Sequence, residues 1–242
     1  MKDAFDVILL VARPAAGKSE VIDYLKSTPL KERTQRFHVG EFEEIDDFPM
    51  LWAWFEEDAI LEKMGHTRLH TDADGYFKWQ YLWDLLIERL CLDYTKLVRD
   101  RKDPITVIVE FSRGSEHGGY ASAFSHISRE MAERMAILYI DVSWEESLRK
   151  NRRRFNAERP DSILEHGVPD KKLEKMYREI DWKEVSSESP DFISIQGVQV
   201  PYSVFENEDD VTTGRGAALG KRLEGVMERL WLLYQETRQQ QT

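Results

Sequence analysis

Val7-Ile8-Leu9-Leu10-Val11 runs directly into Ala12-Arg13-Pro14-Ala15-Ala16-Gly17-Lys18-Ser19. The unbroken apolar run has the character of a strand buried on both faces, as in a parallel sheet. Gly17, Lys18 and Ser19 then fill three of the four defined positions of the phosphate-loop pattern Gly-x-x-x-x-Gly-Lys-Ser/Thr. In that pattern the loop N–H groups and the following helix N-terminus surround phosphates, the lysine reaches the terminal phosphates, and the hydroxyl takes Mg²⁺. Ala12 stands where the first glycine belongs, and its Cβ limits the backbone angles and the closeness of approach there. Ser19 to Lys26 follows with Val21, Ile22 and Leu25 apolar, which reads as the helix the pattern requires.

Composition bounds what surrounds this loop. With 242 residues, 41% of them apolar, and 11 Phe, 9 Tyr and 7 Trp, the chain can build a sizeable core, and 1–242 reads as a single domain. The first residues carry Lys2, Asp3 and Asp6 instead of an apolar signal core. No later run approaches the roughly 20 apolar residues that span a bilayer, so a cytoplasmic protein without a membrane partner is expected. The lone Cys91 lies between Leu90 and Leu92 in a helical pattern and reads as a small buried residue. A formal charge of −11 argues against nucleic acid as a partner. Against that acidic background the cluster Arg149-Lys150-Asn151-Arg152-Arg153-Arg154 stands out.

Four further segments have the short, β-rich character of buried strands: 36–39, 105–111, 136–142 and 200–205. Helical spacing covers 49–64, 77–99, 121–134, 144–155 and 170–182, with a break at Pro160, and 215–237 closes the chain. Phe192 to Ile195 and Val198 to Val204 flank Gln196-Gly197 as an edge hairpin. The fold expected is α/β, a mainly parallel five-stranded sheet with helices on both faces. Ligands of such sheets bind outside the carboxyl ends of the strands. Those ends carry the loop at 12–19, Gly40-Glu41 with Asp46-Asp47, Glu110-Phe111-Ser112-Arg113, Asp141, and Glu206-Asn207.

This set resembles the P-loop kinase family that includes nucleoside monophosphate kinases and deoxynucleoside kinases, over most of the chain from Asp6 to about Thr213. The resemblance implies a third strand ending in an acidic residue with a substrate-contacting arginine nearby, matched by Glu110 and Arg113. It implies an arginine-bearing helix leading to a lid, matched by Arg149, Arg152 and Arg153, and a loop near the nucleotide base, matched by Asn207. The third strand lacks the full Asp-Gly-x-Pro-Arg of monophosphate kinases, and the acidic, tryptophan-rich segment 41–81 is also a departure. Residues 41–100 would form a helical substrate side, 149–182 a lid region and 214–238 a terminal helix.

Phosphoryl transfer asks a protein chiefly for positioning and positive charge. Lys18 and the lid arginines would supply the charge. Ser19 would take Mg²⁺ directly and Glu110 would hold a water on it. For a hydroxyl acceptor, Glu41, Asp46, Asp47 or Glu110 could take the proton, and the sequence leaves that choice open. Asp46 and Asp47 also fit the start of a helix, where acids complement the macrodipole. For a phosphate acceptor, Arg113 is the sharper candidate. His117, in a polar loop, could contact a ligand, and His66, His70 and His117 show no zinc-binding spacing. The reading is an ATP- and Mg²⁺-dependent kinase of a nucleotide or nucleoside. A kinase of another metabolite, and a nucleotide-binding regulatory module without transfer, remain open.

Overall fold

The computed structural model describes residues 3–154 and 168–240. The expected break at Pro160, Phe155 at the end of its expected helix, and the middle of the expected lid lie outside the described residues.

Alternation of apolar side chains builds the core on both faces of one sheet. Strand β1 (Val7–Ala12) is buried throughout. Its Val7, Leu9 and Val11 enter one apolar cluster and its Ile8, Leu10 and Ala12 the other. Helix α1 (Lys18–Ser27) and the long C-terminal helix α10 (Ala217–Gln240) close the second face with Ile22, Leu25, Leu223 and Leu230. Helix α4 (Tyr81–Asp100) and the short α5 (Gly119–Ser125) close the first.

The sheet has six strands in the order β2-β3-β1-β4-β6-β5. β2 is Phe42–Asp46, β3 Thr106–Phe111, β4 Met135–Asp141, β5 Phe192–Ile195 and β6 Val198–Glu206. β1 pairs in parallel with β3 and β4, and β2 and β6 extend the parallel sheet. β5 joins β6 antiparallel as an added edge strand, so the expectation of five strands is corrected to six. Gln196 takes a φ of 52° in the hairpin turn.

One expected strand is overturned. Residues 36 and 37 end helix α2 (Leu30–Phe37), and His38 caps it in the left-handed conformation. The second strand begins instead at Phe42, where Glu43 and Glu44 face solvent and hide the apolar alternation. The expected helix over 121–134 splits into α5 and α6 (Arg129–Ala132), because Ser128 starts a new helix by accepting from the Met131 N–H at 3.3 Å. α3 (Phe48–Lys63) and α7 (Trp144–Arg154) stand close to expectation. The helix expected over 170–182 stops at Tyr177 as α8 (Asp170–Tyr177) and resumes as α9 (Trp182–Val185). Among the described residues no helix is long and apolar enough to cross a membrane.

A smaller apolar cluster, with Trp83, Leu86, Leu173, Met176 and Tyr177 at its centre, joins the α3–α4 side to α8. Asp58 organises that side. Its carboxylate accepts from the N–H groups of Leu69 (2.6 Å), His70 (3.0 Å) and Thr71 (2.6 Å) and from the Thr71 hydroxyl (2.7 Å). Burial acts to raise its pKa, and these donors more than reverse that, bringing it to about 2.

Candidate active site

β1 leads into a loop that turns at Ala15 (φ 57°) and reaches α1 at Gly17 (φ 121°). A Cβ on Gly17 would stand 2.7 Å from Thr212 Oγ1 and 3.0 Å from Asn207 Nδ2, so both backbone angle and space require glycine. Ala12 needs neither. It is the last residue of β1, in register with Ile140, and its methyl group packs in the core. The substitution at the first glycine position is therefore accommodated in ordinary strand geometry.

Side chains from distant segments brace the loop. Asn207 Nδ2 donates to Ala16 O at 2.7 Å and to Thr212 Oγ1 at 2.8 Å, and Ser147 Oγ donates to Pro14 O at 2.8 Å. Among the described residues no side chain caps the N-terminus of α1. Its first N–H groups are thus left to an external acceptor, which favours an anion at that position.

Parallel register decides what faces the loop. Asp46 at the end of β2 pairs with Glu110 near the end of β3, and Glu110 pairs with Leu10 of β1. Lys18 Nζ donates to Ser112 Oγ at 2.8 Å just beyond β3. Asp46, Glu110 and Lys18 are each half-buried. Burial first, then the charges of Glu110 and Asp47, push the Asp46 pKa up to about 8, while the Phe48 N–H and Lys18 act in the opposite sense. Glu110 is raised by burial and by the carboxylates of Asp47 and Glu44, with Lys18 and Arg154 lowering it.

The remaining candidates separate. Asp47 and Arg113 form a buried pair, 2.6 Å between Oδ2 and Nη1, and Arg113 also donates to Ser112 O (2.8 Å) and Trp83 O (3.3 Å). Its guanidinium lies beside the Trp83 and Phe111 rings. At 2% exposure Arg113 is part of the core in this conformation. Glu41 lies at the other end of β2: its carbonyl accepts from Thr106 N, and its exposed carboxylate faces Arg33 at 3.8 Å. Five residues of strand, about 16 Å, separate it from the loop's edge of the sheet.

The α7 arginines also divide. Arg149 and Arg153 reach Asp210 at 2.9 and 3.1 Å, and buried Lys150 reaches it at 2.7 Å. Lys150 donates also to Thr212 Oγ1 at 2.9 Å. Burial opposes ionisation of Asp210, and these cations and the Thr213 hydroxyl hold its pKa well below the carboxylate range. Arg152 points outward to Asp170 at 2.7 Å. Arg154 is the α7 arginine whose charge acts on Glu110 and on Glu20. Its side chain is solvent-exposed, and partial desolvation of its head lowers its pKa.

Sequence reading placed Arg154 in the basic cluster but not among the site arginines, from which it differs by the rotation of α7. It also missed Ser112, Ser147 and Thr212, which carry no local signal. His117 is 2% exposed, stacked on Trp83 at 3.7 Å, and burial, then Arg113, lowers its pKa to about 3. It is a neutral packed residue in this conformation.

Among the described residues no group of three or more His, Cys, Asp or Glu is arranged to hold a metal ion. Mg²⁺ does not need one, since it is bound by one or two protein oxygens together with substrate phosphates and waters. The oxygen donors of Ser19 and Glu110 suit it, and a cation would relieve the crowding of Asp46 and Glu110.

No protein-family model matches the chain, and no curated protein matches it. Among solved structures, an unliganded sugar kinase from Janibacter sp. HTCC2649 aligns with 13% identity and a TM-score of 0.42, over 95% of this chain and 98% of that one.

Proposed function

We propose that this protein is a P-loop kinase that uses ATP and Mg²⁺ to phosphorylate a hydroxyl of a small molecule, with nucleosides and nucleotides the first acceptors to test. The observation that carries the reading is the convergence of β1, β2 and β3. Their carboxyl ends bring a braced loop with an uncapped helix N-terminus to the same edge as Lys18, Glu110 and Asp46.

The N–H groups of residues 15–19, at the start of α1, would hold the nucleotide phosphates. Lys18 would exchange Ser112 for the terminal phosphates, and Arg154 would add positive charge where it develops. Ser19 and Glu110 would hold Mg²⁺, which, when bound, neutralises charge on the transferring group. Asp46 is the carboxylate suited to take the acceptor's proton. Asp47 is committed to Arg113, Glu41 is at the wrong end of β2, and Glu110 serves the metal. Burial and the neighbouring carboxylates raise the pKa of Asp46, which makes its carboxylate a stronger base, and the positive charge of Lys18 and of a bound cation would favour that ionised form.

The same geometry favours a hydroxyl acceptor over a phosphate. A phosphate acceptor would need an available arginine, and Arg113 is neutralised by Asp47 within the core. ADP release from Mg-ATP against a panel of nucleosides, nucleoside monophosphates, sugars and other hydroxyl metabolites tests the reading, with Lys18→Ala as the blank. Turnover that depends on one acceptor and vanishes in the blank supports it. Unchanged turnover in Lys18→Ala would remove the phosphate-loop assignment.

A further inference from the structure

We propose that Arg13 is a positioning residue that couples the phosphate loop to the loop after β3 through the C-terminal end of α8. This rests on the reading of residues 12–19 as a nucleotide phosphate site.

The Arg13 side chain leaves its loop. Its Nη1 donates to the carbonyl oxygens of Tyr177 and, at 2.8 Å, Arg178. α8 ends at Tyr177, so a cation here meets helix carbonyls that lack intrahelical partners, at the negative end of the macrodipole. Arg13 is half-buried, and its side-chain hydrogen bonds go to the end of α8.

The segment it grips is docked by its backbone on the loop after β3. Ser115 N donates to Glu179 O at 2.9 Å, and the Asp181 carboxylate accepts from Tyr120 N (2.7 Å) and Ala121 N (2.9 Å). A Cβ on Gly114 would lie 1.8 Å from Met176 O, so the two backbones touch without room for a side chain. The loop after β3 begins with Ser112, which accepts from Lys18. The contacts close a ring: Arg13 to the end of α8, on to 114–121, back through Ser112 to Lys18. When Lys18 turns to a phosphate, its link to Ser112 opens. Arg13 is then the side-chain connection of this ring that still runs from the phosphate loop to 176–181 and 114–121.

Hydrogen exchange with and without Mg-ADP, alongside Mg-ADP binding, tests this in wild type, Arg13→Met and Arg13→Lys. Wild type should gain protection in 114–121 and 176–181 on binding. Arg13→Met should still bind Mg-ADP, within about tenfold of wild type, and lose that gain. Arg13→Lys, which keeps a donor for the same carbonyls, should recover at least half of it. Should Arg13→Met not fold, Arg13→Gln, whose shorter side chain cannot span to α8, takes its place with the same expectation. Persistence of the full nucleotide-dependent protection in Arg13→Met overturns the proposal. So does a hundredfold loss of Mg-ADP affinity, which would make Arg13 a phosphate contact. Wild type that binds Mg-ADP without protecting these segments overturns the coupling alone. Wild type that does not bind Mg-ADP overturns the nucleotide-site reading as well.

Discussion

Replacing Asp46 by asparagine should stabilise the unliganded protein while removing its turnover. Asp46 and Glu110 are register partners on adjacent strands, which stand about 4.8 Å apart. At an effective dielectric of about 20, two negative charges about 5 Å apart repel by roughly 3 kcal/mol. Lys18 draws both carboxyls back towards ionisation, so the repulsion leaves on the order of 1–2 kcal/mol, which adds to the larger cost of burying ionised Asp46. In the unfolded chain Asp46 ionises near its ordinary pKa of about 4, whereas in the folded protein it holds its proton until about pH 8. Stability therefore falls as pH rises from about 4 to 8, because the unfolded state has released a proton the folded state still binds. Asparagine keeps the acceptor for the Phe48 N–H, now at 3.0 Å from Oδ1, and carries no charge to repel. Thermal unfolding by circular dichroism at pH 5 and pH 8 reads the difference. The variant should melt higher by at least about 2–6 °C at pH 8 and by less at pH 5, while turnover with the identified acceptor drops about 10²–10⁴-fold. A lower melting temperature at pH 8, or the same gap at both pH values, would refute the electrostatic reasoning.

Other outcomes follow from the same geometry. Gly17→Ala should cost about 1–3 kcal/mol and abolish Mg-ADP binding, read by thermal melts and calorimetry, because its Cβ would collide with Thr212 and strain the turn. Asp58→Ala should cost about 2–4 kcal/mol in denaturant unfolding. The wild-type contribution of Asp58 is present above its ordinary pKa and is lost as pH falls towards 2, since its folded pKa is depressed. Arg154→Ala should slow turnover about 10²-fold or more, and Arg152→Ala much less, because Arg152 is paired with Asp170 whereas the charge of Arg154 acts on Glu110. Equal effects in steady-state assays of the two variants would remove Arg154 from the candidate site.

What the sequence made legible was the segment where two independent signals coincide. An apolar run and a Gly-Lys-Ser turn located β1, the loop and α1 together. β2 was misplaced because an edge strand with one wet face leaves little alternation, and the apolar Phe37 and Val39 nearby are buried for other reasons, at a helix end and its loop. That error moved Glu41 to the functional edge, where Asp46 alone of the two belongs. The role of Arg113 was hidden in the same way, because its partner Asp47 lies 66 residues upstream. Which α7 arginine acts on Glu110 depends on about 100° of rotation per residue and on Asp210 and Asp170, which capture its neighbours.

Departures from local preference are themselves informative once those with structural causes are set aside. His38 takes a positive φ to cap α2, and Gln196 takes one to turn a hairpin. Ala15 and Gly17 do so in the loop after β1, and Asp210 does so in the segment that braces that loop through Thr212, Asn207 and Lys150. Asp46 and Glu110, carboxyls held against their ordinary ionisation, stand at the same edge. Strain and electrostatic conflict gathered at one edge of the sheet mark a site whose unliganded state is not its most stable one. On the proposed function, a polyanionic nucleotide with its divalent cation would supply both partners: acceptors for the uncapped N–H groups of α1, and positive charge near Asp46 and Glu110. On that argument Mg-nucleotide should stabilise this protein more than either Mg²⁺ or nucleotide alone. A thermal shift with nucleotide alone equal to that with the pair would show that the two carboxyls do not share in the binding.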